Sequence, residues 1–436
     1  MTSHLTYTDY LKVTIPFMIS TATQPLLGAA NTAIMGHMDA AYYIAAVSLG
    51  VILFNNIYWL FGFLRVSTTA FSAQALGAEN DRDAFLSLAR PLLLAFVIST
   101  VFMLIYPWLF DLYASFMNPE PIVIQFMKEY CDIIIWGAPF TLFNYVTLGW
   151  LMGRMIIRWT MIMQISMNIL NIALSVLFVF GMDMNIKGVA FASLIAQIYG
   201  CLIGFAAVYI KGKLHFSAEV FAKIYHMKSF LSMMRVNTDL MLRTVCLLTI
   251  NNLFAMAGSS LGTTTLAANA VILEIIFILA YFFDGMANGV SVFSGKAYGD
   301  KNLHLLNAVL NISLRCLSVF ALCCAAICFI GGNYFIGFMT NLPEVYAYAA
   351  EFAVYLAIYP LFASTGLLLY GMYTGVGYTS SIRNMMFIAV IFFFLCQKLL
   401  MGMFGNDGIW TTYVLTYLLE SIIFLLYLPS LKKRFA

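Results

Sequence analysis

The sequence predicts an all-α integral membrane protein: about twelve transmembrane helices in two six-helix bundles related by a parallel internal repeat. Composition is the first reason. Hydrophobic residues fill 63% of the 436 positions and charged residues 9%, against about 45–50% and about 25% in soluble domains. Mean hydropathy is +0.91, and so few polar side chains cannot cover a water-facing surface. The second reason is that the apolar runs are continuous, as in ASLIAQIYGCLIGFAAVYI from Ala192 and AVIFFFLCQKLLMGMF from Ala389. A membrane barrel would show alternating segments of about ten residues. The third is a repeat at one fixed offset. Gly77 and Gly299, Gly149 and Gly371, Gly153 and Gly375, Pro121 and Pro343, Glu129 and Glu351, and Ala45 and Ala267 all lie 222 residues apart.

The first half is expected to span at 10–35, 42–74, 87–113, 122–152, 157–181 and 187–210. The start, MTSHLTYTDYLKVTIPF, has neither the basic n-region nor the cleavage site of a signal peptide, so the first span is expected to be retained. GHMDA, LGAENDRDA, MNPEP, GRMIIRW and GMDMNIKG punctuate these spans. The second half is expected to span at 229–257, 263–293, 304–338, 346–375, 382–403 and 409–430, interrupted by YGDKNL, TNLPE, GYTSSIR and GNDG. The division is then 1–210 for the N-terminal bundle, 211–228 for a basic linker and 229–436 for the C-terminal bundle. Six is even, so both bundles enter the membrane in the same sense, a parallel repeat found in transporters.

Basic residues orient the chain. Arg82, Arg90, Arg154, Arg158, Lys211, Lys213, Lys223, Lys228, Lys296, Lys301, Arg383, Lys432, Lys433 and Arg434 fall in or beside the even-numbered connections and the tail. The odd connections carry mainly Asp39, Glu120, Asp183, Glu344 and Asp407. The positive-inside rule therefore puts both termini in the cytoplasm. A net charge of +3, scattered along the chain, excludes a nucleic-acid partner. The eight cysteines lie in apolar runs and read as small buried hydrophobes.

Enzyme chemistry finds no foothold. The five histidines (4, 37, 215, 226 and 304) sit in loops, at the terminus or at helix edges, so neither a metal nor a haem site is expected. No Walker phosphate loop is present, and no cofactor is expected; an ion gradient, H+ or Na+, would have to drive any work. Ionisable residues inside spans are functional candidates by default. Glu274 and Asp284 share the eighth span, with Asn288 one turn beyond Asp284. Glu420 lies midway along the twelfth, with Lys398 as a possible partner. Asp239 has Arg235 and Arg243 at i−4 and i+4, which predicts a structural ion-pair ladder. Neutral polar residues form a second set: Gln24, Asn31 and Thr32 in the first span, Asn168, Asn171 and Ser175 along one stripe of the fifth, and Ser193 and Gln197 in the sixth. They fit either interhelical hydrogen bonding or a shared cavity. The many Met, Phe and Tyr residues suit a pocket for flat lipophilic cations.

The segments PLLGAANTAIMGHMDAAYYIAAVSLG, FLRVSTTAFSAQALGAEN and LAANAVILEIIFILAYFFDGMANGVSVFSGKAYG resemble the multidrug and toxic compound extrusion (MATE) family, in its DinF-like branch. NTDLMLRT and GWLMGRMIIRW fit the same branch. The resemblance implies two bundles around a V-shaped central cleft. It also implies antiport, in which proton or sodium entry drives export of organic, often cationic, compounds by rocking between inward- and outward-open states.

The departures from that family are informative. The usual acid of the first-span motif is Asn31 here, and the usual acid one turn beyond Asn171 is Ser175. Ser291 and Tyr370 stand where the branch often has further acids, while Asp284 is kept and Glu274 is additional. An amide and a hydroxyl do not titrate at physiological pH. Coupling is expected either to rest on Glu274 and Asp284, or to use neutral ligands for sodium or substrate, or to be absent. The candidate ion- or substrate-binding set is Asn31, Asn171, Ser175, Ser193, Glu274, Asp284, Asn288 and Tyr370. The expected partners are a small, lipophilic organic cation and the bilayer, with the chain acting as a monomer in a bacterial inner membrane. A flippase for lipids or lipid-linked sugars is the alternative; it would want several deep cations for a phosphate, and only Arg243, Arg315 and Lys398 are candidates.

Overall fold

A computed structural model describes residues 5–36, 41–212 and 227–435. They are helical almost throughout, with no strand among the described residues. The N-terminal half runs α1 (Tyr7–Gly36), α2 (Ala41–Leu60), α3 (Phe63–Gly77), α4 (Asp81–Met117), α5 (Pro121–Ile134), α6 (Ala138–Gly153), α7 (Ile157–Val176) and α8 (Asn185–Lys211). A 3₁₀ turn at Ile135–Gly137 joins α5 to α6, and a π turn at Leu177–Gly181 ends α7. The C-terminal half runs α9 (Met227–Ser260), α10 (Thr263–Gly299), α11 (Leu303–Met339), α12 (Pro343–Glu351), α13 (Val354–Val376), α14 (Thr379–Phe404) and α15 (Asn406–Lys432).

Eleven segments among the described residues are long and apolar enough to cross a membrane, from Tyr42–Gly77 to Asn406–Phe435. Ahead of them, α1 adds a further helix of 30 residues. The expected span at 42–74 is one apolar segment made of two helices, broken at Phe61-Gly62. The expected span at 87–113 is longer, because the polar start that reads as a loop is helix: the Asn80 side chain accepts from the Arg82 and Asp83 amides and so caps α4.

The 222-residue repeat is carried into the backbone. Asn302 caps α11 as Asn80 caps α4, accepting from the Leu305 amide. The left-handed residues recur in step: Glu79 and Lys301 both at φ +50°, Met155 and Gly377 at +59° and +76°, Asp183 and Gly405 at +51° and +59°. Helix packing recurs too. A Cβ on Gly149 would lie 2.4 Å from the Arg65 carbonyl oxygen, and one on Gly371 would lie 2.2 Å from that of Ala287. Gly153 and Gly375 stand in the same relation to Thr69 and Ser291. Lipid tails are as apolar as leucine, so helices in a membrane associate through close contacts of this kind rather than by expelling water.

By contacts, the described chain forms two units, Met1–Thr21 with Met234–Ala436, and Ala22–Met233. The division at 210 and 229 differs from this at the N-terminus, since the first part of α1 goes with the C-terminal half. Its reason is a glycine-lined seat on α10. The Met18 backbone packs at Gly285, Thr14 packs at Gly289, and the Thr21 hydroxyl donates to the Tyr281 carbonyl at 2.8 Å. Most of the expected linker 211–228, residues 213–226, lies outside the described residues. The second unit has a core of Ala46, Val47, Phe54, Phe102, Tyr106, Met127, Tyr130 and Cys131, drawn from α2, α4 and α5. The cysteines follow expectation only in part: five are buried, Cys316 and Cys396 are half-buried, and Cys323 is exposed.

Candidate functional site

In the unit Ala22–Met233, the stripe on α7 turns inward. Asn168, Asn171 and Ser175 are buried. Asn168 donates through Nδ2 to the Thr23 hydroxyl at 2.9 Å. The Ser175 hydroxyl donates to Asn171 Oδ1 at 3.3 Å, and Asn171 Nδ2 donates to the Ser193 hydroxyl of α8 at 3.4 Å. On α6, Asn144 Nδ2 reaches both the side-chain oxygen of Gln197 (2.8 Å) and its backbone carbonyl (2.9 Å). The structure therefore joins three of the predicted residues, Asn171, Ser175 and Ser193. All of these bonds run between neutral groups. Asn31 is not part of them; its Oδ1 is buried without a hydrogen-bond partner among the described residues.

In the other unit, Asp284 accepts from Asn288 Nδ2 at 3.1 Å, as their one-turn spacing on α10 predicts. Glu274, on the same helix, is exposed and does not join them. Ser291 is buried and lies 3.4 Å from the Thr374 hydroxyl, which donates to it.

The ladder Arg235–Asp239–Arg243 does not form. Asp239 is buried, and its carboxylate instead takes Arg383 Nη1 at 2.8 Å and the Thr379 hydroxyl at 2.8 Å, both from the start of α14. A bond across the unit replaces the in-helix pair because α14 delivers a guanidinium to the buried face of α9. Arg243 has another partner: its guanidinium lies 3.8 Å from the centre of the Tyr370 ring on α13, a cation–π contact. The pairing of Glu420 with Lys398 does not form either. Lys398 is on the exposed face of α14, while its neighbour Gln397 is buried and donates to the Leu253 carbonyl. Arg315, expected to lie deep, is exposed and donates to the Tyr7 hydroxyl at 2.9 Å.

Glu420 becomes the centre of a site that spacing did not assemble. It is buried, 5% exposed, on α15. Arg243 on α9 and the phenols of Tyr359, Tyr413 and Tyr417 lie within electrostatic reach of it. Tyr359 meets Tyr417 edge-on at 5.2 Å, and the Tyr413 and Tyr417 hydroxyls are 3.4 Å apart. Trp410 and Phe254 extend the aromatic wall, with ring centres 4.8 Å apart. The wall is pinned by Asn269, which exchanges hydrogen bonds of 2.7 and 3.0 Å with Asn406 and accepts from Trp410 Nε1 at 2.8 Å. The available sequence signal was the i−7, i−3 spacing of Tyr413 and Tyr417 before Glu420, which puts all three along one side of α15. Such a cluster offers one carboxyl, one guanidinium held apart from it, and hydroxyls able to donate or accept. It can hold a proton, but no group of three or more His, Cys, Asp or Glu suited to a metal ion occurs among the described residues.

With this geometry in view, comparison with known proteins is specific. The MatE family model matches residues 16–177 and 240–396, one block in each half. The chain is 32% identical over 396 residues to DNA damage-inducible protein F of Escherichia coli K12, covering 91% of this chain and 86% of that protein. It is 22% identical over 355 residues to the probable multidrug resistance protein NorM of Acinetobacter baylyi, covering 79% and 77%. A crystal structure of the Vibrio cholerae MATE transporter VcmN superposes with a TM-score of 0.87 over 98% of this chain and 97% of that one, at 17% identity.

Proposed function

The chain belongs to the MATE family of membrane transporters, and from that membership we propose that it is a proton-driven exporter of small organic compounds. Multidrug proteins among its relatives support export as the coarse function. The finer reading is an antiporter that alternates between inward- and outward-open states, takes lipophilic cations, acts as a monomer and sits in a bacterial inner membrane with both termini in the cytoplasm. The single observation that carries the coupling is Glu420 buried on α15, with Arg243 and three phenols within electrostatic reach. Sodium wants a cage of oxygen ligands and no neighbouring cation. The nearby guanidinium opposes any added positive charge, a proton included, but a proton needs no coordination cage, so its exchange on the carboxyl only switches the interaction with Arg243 on and off. The hydrogen-bonded amides around Asn171 then serve as a neutral wall for substrate or helix contact.

An uncoupled carrier is the second reading, favoured by the neutral Asn31 and Ser175. A flippase is disfavoured because Arg243 and Arg315 already have aromatic or phenolic partners. Dye efflux from proteoliposomes separates these readings. A proton gradient is expected to drive ethidium out, a sodium gradient is not, and Glu420→Gln is expected to abolish the driven component. Efflux indifferent to both gradients supports the uncoupled carrier. Asp284→Asn, run alongside, assigns any proton dependence that survives Glu420→Gln.

A further inference from the structure

A cavity of about 300 Å³ opens on the unit Ala22–Met233, and its lining takes no part in the polar network or the Glu420 cluster. Tyr43, Phe126, Glu129, Asp183 and Lys187 form its chemistry. It lies where spans end: Phe126 and Glu129 are in the first three turns of α5, and Asp183 is in the connection before α8. The Phe126 ring is stacked on Tyr42 (5.3 Å between centres, 15° between planes) and meets Tyr43 edge-on at 4.8 Å. Glu129 faces Lys187 at 3.6 Å, with the Lys187 side chain more than half exposed. Asp183 is exposed and left-handed at φ +51°, and Asn185 follows at +48°. Both residue types tolerate that conformation, as a tight connection between helices requires.

We propose that this cavity binds an ammonium group, held between the carboxylates of Glu129 and Asp183 and the rings of Tyr43 and Phe126. Two carboxylates against one ammonium leave the lining net negative. Aromatic faces attract a desolvated cation, and small aromatic cages are a known way to hold quaternary ammonium. Lys187 already occupies part of the place. At 3.6 Å its contact with Glu129 is longer than a charge-assisted hydrogen bond, and an exposed pair of this kind is held weakly. An incoming ammonium therefore displaces Lys187 instead of meeting an unpaired acid. The depth at the span ends admits two sources of the same group, an amine-bearing lipid headgroup and a soluble organic cation. The site shares no residue with Glu420 and does not depend on the proton-coupled reading.

The test is calorimetric titration of the purified full-length protein in detergent with benzyltrimethylammonium. The parent is expected to bind, and the Glu129→Gln, Asp183→Asn double variant to bind about tenfold or more weakly. Phe126→Leu is expected to weaken binding by about threefold. Lys187→Met is expected to tighten it, because the competing ammonium is gone; a core or folding role would not give that sign. Lys398→Met, a change on the exposed face of α14 in the other unit, is expected to match the parent. Repeating the titration in nanodiscs distinguishes the sources. Weaker binding in phosphatidylethanolamine than in phosphatidylglycerol discs, beyond the difference that the anionic surface alone produces in the double variant, identifies the headgroup as occupant, and no such excess identifies soluble cations. A parent that does not bind, or a double variant and a Lys187→Met variant that both bind as the parent does, overturns the proposal.

Discussion

In the N-terminal half, Gly149 and Gly153 pack on the carbonyls of Arg65 and Thr69; 222 positions later, Gly371 and Gly375 pack on those of Ala287 and Ser291. Helix caps and left-handed turns recur at the same offset. The buried polar chemistry does not. At the position matching Glu420 the first half has Ile198, and at that matching Tyr370 it has Leu148. At the positions matching Asn171 and Asn144 the second half has Phe393 and Gly366. Backbone contacts that let helices approach closely are hard to change without losing the packing. Buried side chains can diverge singly, provided each new polar group finds a partner. One half therefore holds a hydrogen-bonded set of amides and hydroxyls, and the other holds acids and guanidinium groups beside its own Asn269–Asn406 amide pair.

The largest effect that would break this comparison is on transport. Glu420→Gln is expected to abolish proton-driven efflux while the protein still elutes and melts as a folded species, whereas Asn171→Leu is expected to leave the pH profile of efflux unchanged. Equal losses in the two variants would mean that coupling is shared between the halves. Next in size is Asp239→Asn, which leaves Arg383 without its buried partner. It is expected to cost about 3 kcal/mol, the low end for breaking a buried pair because Arg383 is half-exposed. Thermal unfolding in detergent reads it, and restoration of stability by pairing it with Arg383→Met supports the ion pair as the cause. The repeated packing gives a matched test. Gly149→Ala and Gly371→Ala are each expected to destabilise by about 1–3 kcal/mol, because each methyl meets a backbone oxygen. Similar losses support equivalent contacts, and a neutral member of the pair contradicts them. The smallest effect is for Asn168→Leu, about 1 kcal/mol for one interhelical hydrogen bond to Thr23.

The sequence made the architecture legible because a membrane helix is written locally. Continuous apolar runs, polar breaks and a fixed repeat offset are properties of neighbouring or periodically spaced residues. Where the reading fell short, distant residues decided. Asp239 has arginines one turn away on both sides, yet its partner is Arg383, 144 positions later. Nothing in the spacing of α9 announces that contact. Helical spacing brought Asp284 to Asn288 and Ser175 to Asn171, since both pairs are i, i+4 on one helix. The Glu420 cluster draws Arg243, Tyr359, Tyr413 and Tyr417 from α9, α13 and α15, and only the two tyrosines on α15 could be aligned with it from the sequence. Glu274, an intramembrane acid by sequence, is exposed because its position on α10 faces away from the buried side marked by Ile272, Ile275 and Ile276. The break between α2 and α3 was missed because Phe61-Gly62 lies within an uninterrupted apolar run.

Where the proton sits is measured, without any gradient, by proton release on substrate binding. Purified protein in weakly buffered detergent would be mixed with ethidium while a pH dye is followed. The parent and the Asn171→Leu variant are expected to release protons as substrate binds, and Glu420→Gln is expected to bind without release. Undiminished release from Glu420→Gln would contradict the assignment of coupling to the C-terminal half's buried glutamate.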